Sequence, residues 1–142
     1  MISHMPFISK YVAYLSDTDA VGIVHFANYL RIVERAEEDF YRSLGLPNAY
    51  ESMPRIEAFI KYESPIHRGD SIRVELELEE TRTRAIRYRF KVFNETSGKE
   101  AAHGYIAAAC VELSNAELRA VKCPQEIINA WSNTRNQSEP HP

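Results

Sequence analysis

Ala27-Asn28-Tyr29-Leu30-Arg31-Ile32-Val33-Glu34-Arg35-Ala36-Glu37-Glu38-Asp39-Phe40-Tyr41-Arg42-Ser43-Leu44 is the one long helical pattern in the chain, and what flanks it decides the fold. Apolar side chains recur at Leu30, Val33, Ala36, Phe40, Tyr41 and Leu44, the spacing of a 3.6-residue period. Gly45 supplies a left-handed stop, with Pro47 just beyond it. The apolar surface is wider than a narrow stripe, so other elements are expected to wrap the helix. Glu37 falls near the apolar side; buried beside a pocket, it would orient water.

On the C-terminal side the chain turns strand-like. Ile56 to Glu63 alternates imperfectly, and Pro65-Ile66-His67-Arg68-Gly69-Asp70 reads as a turn. Ile72, Val74, Leu76 and Leu78 then alternate with Arg73, Glu75, Glu77 and Glu79, and Ile86, Tyr88, Phe90 and Val92 alternate with Arg87, Arg89 and Lys91. A reversal around Thr81 to Thr83 lays the acidic row beside the basic one. Those charges read as the solvated face of an antiparallel hairpin rather than a binding patch. Asn94 to Gly98 turns the chain again, and Lys99 to Leu113 follows as a last long strand. Its alanines and Gly104 leave room for a bulky neighbour, the long helix being the obvious candidate. Pro124 to Trp131 reads as a short helix. On the N-terminal side, residues 7–15 read as a strand.

One long helix followed by strands without further crossover helices specifies an α+β protein with an antiparallel sheet. About five strands, curved around one long helix, use these pieces most economically. The expected organisation is one domain over residues 6–131 and a flexible tail over 132–142, which lacks an apolar anchor. The net charge of −3, with both signs interspersed, argues against a nucleic-acid partner. No apolar run is long enough for membrane insertion, and the first residues carry no secretory signature. Cys110 and Cys123 form no CxxC and have no His/Cys cluster around them, which predicts two reduced thiols, no metal and a cytoplasmic setting.

Immediately before the helix stands Asp17-Thr18-Asp19-Ala20-Val21-Gly22-Ile23-Val24-His25-Phe26-Ala27-Asn28-Tyr29. Two carboxylates in a glycine-containing turn face the unpaired N–H groups and positive dipole of a helix mouth. Such a turn can bring a base or nucleophile and an oxyanion donor to one carbonyl. Equally, Asp17 and Asp19 can simply shape the turn and cap the helix.

This motif, with Glu34-Arg35-Ala36 and the turn Pro65-x-x-x-Gly69-Asp70, resembles the hot-dog-fold acyl-CoA thioesterases, specifically the 4-hydroxybenzoyl-CoA thioesterase family. The resemblance covers about residues 7 to 131. It implies a thioester hydrolase that needs no cofactor beyond the coenzyme A of its substrate. It further implies a homo-oligomer, either a dimer joined sheet edge to sheet edge or a dimer of dimers (a homotetramer), with sites between subunits. By this resemblance Asp19 is the catalytic carboxylate, as nucleophile or general base, and the Phe26 backbone N–H is the oxyanion donor. Gly22 would let the loop approach the substrate. Many relatives place an imidazole where this chain has Phe26, so His25 faces the pocket only as a displaced candidate. Asp17 reads as a loop hydrogen-bonder. Tyr29 is a candidate substrate contact, and His67, Arg68, Arg82 and Arg84 are candidate partners for CoA phosphates. Tyr11, Tyr14, Phe26, Tyr29 and Tyr62 are candidates for an aromatic slot.

The leading expectation is hydrolysis of a small acyl-CoA, aromatic acyl groups included. The alternatives are an acyl-carrier-protein thioesterase and a noncatalytic acyl-CoA-binding module.

Overall fold

The structure, a computed structural model, describes residues 5–46, 48–49 and 53–135. In chain order the elements are β1 (Phe7–Val12), a single 3-10 turn (Leu15–Asp17), α1 (Asn28–Ser43), β2 (Arg55–Tyr62), β3 (Ser71–Arg82), β4 (Ala85–Asn94), β5 (Lys99–Ala109), β6 (Val111–Ser114), β7 (Glu117–Ala120) and α2 (Gln125–Ser132). Five of the strands form one antiparallel sheet in the order β1-β3-β4-β5-β2.

The period-two rows of β3 and β4 behave as their chemistry requires. Ile72, Val74, Leu76, Leu78, Ile86, Tyr88, Phe90 and Val92 are all buried on one face. On the other face Glu75 is paired with Lys91 and Glu77 with Arg89, and Arg89 ion-pairs with Glu77. The turn falls one residue later than expected, at Thr83 and Arg84, because a bulge between Leu78 and Glu80 lengthens one strand.

Helix α1 spans 16 residues and lies against β1 and β3. Its C-terminus closes as a Schellman motif: Gly45 at φ +74° donates to Arg42 O at 3.1 Å, and Leu46 N–H donates to Tyr41 O at 2.9 Å. The buried face carries Tyr29, Ile32, Val33, Ala36, Glu37, Phe40 and Tyr41, whereas Leu44 is exposed. It is therefore rotated slightly from the expected stripe. The space left by Gly104 is filled by strand and ring rather than by helix. A Cβ there would lie 1.8 Å from Phe59 O and 2.9 Å from the Phe90 ring.

The C-terminal third corrects three expectations. The strand expected to run to Leu113 breaks at Cys110, and β6 and β7 form a separate hairpin turned by Asn115 (φ 51°) and Ala116 (φ 63°). Positive φ at both central residues matches the twist of a two-residue hairpin. The hairpin returns the chain to its start, leaving the Cα atoms of Cys110 and Cys123 5.2 Å apart, and the two form a disulfide. The expected free thiols are thus absent, and thiol state no longer argues for a reducing compartment. Third, order continues past residue 132. Thr134 is buried, its Oγ1 accepting the Leu78 N–H at 2.8 Å. The rest of the expected tail, 136–142, lies outside the described residues.

At this end the core is built on Trp131, which is fully buried, stacks on Tyr88 with ring centroids 4.6 Å apart and donates Nε1–H to Tyr41 Oη at 2.9 Å. Glu37 is buried here too. Its carboxylate lies 2.5 Å from Arg55 Nη2 and accepts the Tyr88 hydroxyl, and burial pushes its pKa up despite the guanidinium. It faces this polar cluster, not the Asp19 loop, so the water-orienting role considered for it has no geometric basis.

Candidate active site

The loop between β1 and α1 is tied to the turn before β3. Ala13 N–H donates to Asp70 O at 3.0 Å, Gly69 N–H to Ala13 O at 2.8 Å, and Val24 N–H to Ile66 O at 2.8 Å. Ile23 and His67 form an antiparallel bridge. These bonds give the loop the rigidity of a sheet edge.

Within it the two aspartates have different surroundings. Asp17 Oδ2 accepts the Tyr14 N–H at 2.9 Å, and its carbonyl accepts His25 N–H at 3.0 Å and Asn28 Nδ2 at 2.9 Å. This is the loop-bonding role expected of it. Asp19 closes a turn, its carbonyl accepting Gly22 N–H at 3.0 Å and its Oδ1 accepting Val21 N–H at 2.9 Å. Oδ2 of Asp19 has no partner among the described residues. Gly22 sits at φ +91°, a conformation that costs a side-chain-bearing residue steric energy, which is why this turn has glycine.

At the helix mouth, the N–H groups of His25, Ala27 and Asn28 are all occupied. His25 donates to Asp17 O, Ala27 to His25 Nδ1 at 3.1 Å, and Asn28 to His25 O at 2.8 Å. The Phe26 N–H between them has no partner among the described residues. An unpaired donor between bonded neighbours at a helix mouth is the local feature that an oxyanion requires. His25 Nδ1 is committed to this loop, and its ring stacks on that of Phe26.

Asp19, Ile23, Phe26, Tyr29, Tyr62 and Ser64 line one cleft of about 430 Å³. Tyr29 and Tyr62 meet edge to face, centroids 5.2 Å apart. Of the aromatic candidates, then, Phe26, Tyr29 and Tyr62 reach the cleft. Tyr11 instead donates its hydroxyl to Asp39, and Tyr14 is exposed near β1.

His67 and Arg68 lie on the turn docked against the Asp19 loop, both exposed, with Arg68 N–H 3.4 Å from Gly22 O. Arg82 and Arg84 are not brought to this cleft within one protomer. Arg82 ends β3 and Arg84 follows in the turn, at the far end of a strand whose 12 residues span roughly 36 Å at ~3.3 Å per residue. Arg82 is held by Glu80 at 3.3 Å. Sequence reasoning did not single out the Tyr62 hydroxyl, which donates to Phe26 O at 2.8 Å. Its only sequence signal was an aromatic residue at the end of a strand.

A five-stranded antiparallel sheet packed on one helix, with this loop at the helix mouth, is the hot-dog thioesterase fold. The family description "Thioesterase-like superfamily" matches residues 14–131, and the chain belongs to that superfamily. The chain is 29% identical over 124 residues to a 1,4-dihydroxy-2-naphthoyl-CoA hydrolase of Thermosynechococcus vestitus, spanning 83% of this chain and 82% of that one. It is 28% identical over 124 residues to an acyl-CoA thioesterase of Haemophilus influenzae, spanning 83% and 88% of the two chains. Among solved structures, a 1,4-dihydroxy-2-naphthoyl-CoA thioesterase from Synechocystis superposes with a TM-score of 0.80 at 22% identity, covering 95% of this chain and 99% of that one. A 4-hydroxybenzoyl-CoA thioesterase superposes equally well at 18% identity, covering 89% and 98%, and shares the fold. The expectation of 4-hydroxybenzoyl-CoA kinship narrows to the broader superfamily, with naphthoyl-CoA hydrolases among the sequence relatives.

Proposed function

We propose that the protein hydrolyses an acyl-CoA thioester to the free acid and CoA in the Asp19 cleft. The observation that carries this reading is the pairing, in one cleft, of a carboxylate oxygen and a helix-mouth N–H that both lack a partner among the described residues. With the thioester carbonyl oxygen on the Phe26 N–H, its carbon is presented to Asp19. In one route Asp19 attacks that carbon, CoA leaves as its thiolate, and water opens the resulting mixed anhydride. In the other, Asp19 takes a proton from water as the water attacks, and CoA leaves from the tetrahedral adduct. CoA is a good leaving group, so one carboxylate and one donor suffice.

Phe26, Tyr29 and Tyr62 favour a flat acyl group. Relatives named for naphthoyl-CoA hydrolysis support an aromatic substrate. Arg68, exposed and with no side-chain partner among the described residues, would meet the CoA phosphates. A homo-oligomer is part of the proposal. Edge strand β2 leaves Ile56, Phe59 and Tyr62 exposed, as a strand awaiting a second copy would.

Turnover of naphthoyl-, benzoyl- and hexanoyl-CoA, and of the same acyl groups on acyl carrier protein, tests this directly. Hydrolysis of an aromatic acyl-CoA, lost about a hundredfold or more in Asp19→Asn, is expected. Preference for the carrier-protein thioesters would move the substrate to that class. Binding without turnover would leave a noncatalytic module.

A further inference from the structure

The Phe26–Ala27 peptide of the helix mouth is bonded at both ends, and one of the two bonds comes from outside the loop. Its C=O accepts the Tyr62 hydroxyl at 2.8 Å, and its N–H is held by His25 Nδ1 at 3.1 Å. Among the described residues, the preceding peptide, which carries the unpaired Phe26 N–H, is held through its carbonyl alone, by Asn28 N–H. A peptide unit is planar, so the direction of the Phe26 N–H depends on the few soft dihedrals joining it to its neighbours. Fixing the neighbouring plane at both ends removes that slack.

Tyr62 is well placed to do so. It lies 36 residues away, at the end of β2, on the strand face it shares with Ile60, which packs against the core. Its ring rests edge-on against Tyr29, which is 4% exposed in the first turn of α1. Strand β2 is in turn bonded along its length to β5. One hydroxyl therefore ties the helix mouth to strand β2, whereas the loop's own bonds run to the turn before β3.

We infer that Tyr62 is a positioning residue for the reaction, holding the Phe26–Ala27 peptide so that the Phe26 N–H is preorganised toward the thioester oxygen. This rests on the acyl-CoA hydrolase reading above. Preorganised donors act mainly where charge develops, in the transition state rather than in ground-state binding. Tyr62 therefore acts on kcat through the backbone, while its ring keeps lining the cleft. Burial keeps its hydroxyl pKa above the ordinary phenol value, so the donor persists at working pH.

The experiment compares wild-type, Tyr62→Phe and Asp19→Asn full-length protein with benzoyl-CoA as probe. Tyr62→Phe keeps the ring and removes one hydroxyl. The expected result is a kcat about tenfold lower, KM within twofold of wild type, and an unchanged melting temperature. In the slowly reacting Asp19→Asn background, the infrared stretch of a 13C-labelled thioester carbonyl should shift to lower frequency on binding. Adding Tyr62→Phe should shrink that shift. A Tyr62→Phe enzyme with wild-type kcat and an unchanged carbonyl shift would overturn the inference, even with Asp19→Asn inactive. So would a change in KM alone, which would make Tyr62 a wall of the cleft. Full turnover by Asp19→Asn would instead sink the site reading itself, and this inference with it.

Discussion

Arg55 Nη2 lies 2.5 Å from Glu37 Oε2 across the interior between the start of β2 and the middle of α1, and the Tyr88 hydroxyl bonds the same carboxyl group. This pair couples a sheet edge to the helix far from the Asp19 loop. Truncating Glu37 to Ala takes the carboxylate from a guanidinium whose side chain is only 23% exposed and which also donates to Met53 O at 2.7 Å. Removing one partner of a buried pair costs about 3–5 kcal/mol, so Glu37→Ala should lower urea stability by about 3 kcal/mol. Its kcat, measured well below its midpoint, should stay near wild type. A selective loss of kcat in a well-folded variant would place Glu37 in the chemistry after all.

The same carboxyl makes a pH prediction. Burial raises its folded pKa above the ordinary glutamate value. A raised acid contributes stability that is fully present below its unfolded pKa of about 4.3 and is lost as pH rises through the folded value. The stability of wild type minus that of Glu37→Gln should therefore decline as pH climbs above about 4.3. Chemical denaturation of both proteins at stepped pH measures it, and a difference that grows with pH would reverse the assignment.

Gly104→Ala should be far more damaging than an ordinary strand substitution. The new methyl meets a backbone carbonyl at 1.8 Å, so β2 must move away from β5. Overpacking of this kind costs about 1–3 kcal/mol. Because β2 carries Tyr62, activity should fall beyond what the lost stability explains. A variant with unchanged melting temperature and kcat would mean that the two strands separate freely.

The disulfide is directly testable. Denatured, unreduced protein should show no titratable thiol, and reduced protein two. Cys110→Ala/Cys123→Ala should lose about 3 kcal/mol, the chain-entropy value for a closed loop of this size. The loss should match that of wild type assayed in reductant. Two free thiols in the native protein would restore the sequence-based expectation.

Arg68 and Arg82 should separate as CoA contacts. Arg68→Ala should raise KM for benzoyl-CoA about tenfold, as loss of a charge-assisted bond of about 1.5 kcal/mol predicts. Added salt should narrow that difference. Arg82→Ala, already paired with Glu80, should leave KM within twofold. The opposite ranking would move the phosphate contacts to the far end of β3, reached from a neighbouring subunit.

What could be read from the sequence follows its periodic and conformational signals. The alternation at Ile72–Leu78 and Ile86–Val92 specified the buried face and laid the acidic row beside the basic one, but the register of Glu77 on Arg89 depends on the bulge after Leu78, which alternation does not encode. Gly45 announced the end of α1, and Gly22 the special turn beside Asp19. The Cys110–Cys123 closure was hidden because the hairpin between them has four-residue strands and no apolar run. The fate of Glu37 was equally out of reach, since its partners come from β2 and β4, 18 and 51 residues away. Least legible was the Phe26 donor. A backbone N–H has no residue type, and its availability is defined only when every neighbouring N–H is accounted for.

Trp131 completes the interior against Phe40, Tyr41 and Tyr88, and its bond to the Tyr41 hydroxyl joins residues 90 apart in the chain. Closing so long a stretch costs chain entropy before any contact repays it. The indole is therefore a keystone, seated only once helix and sheet have already met.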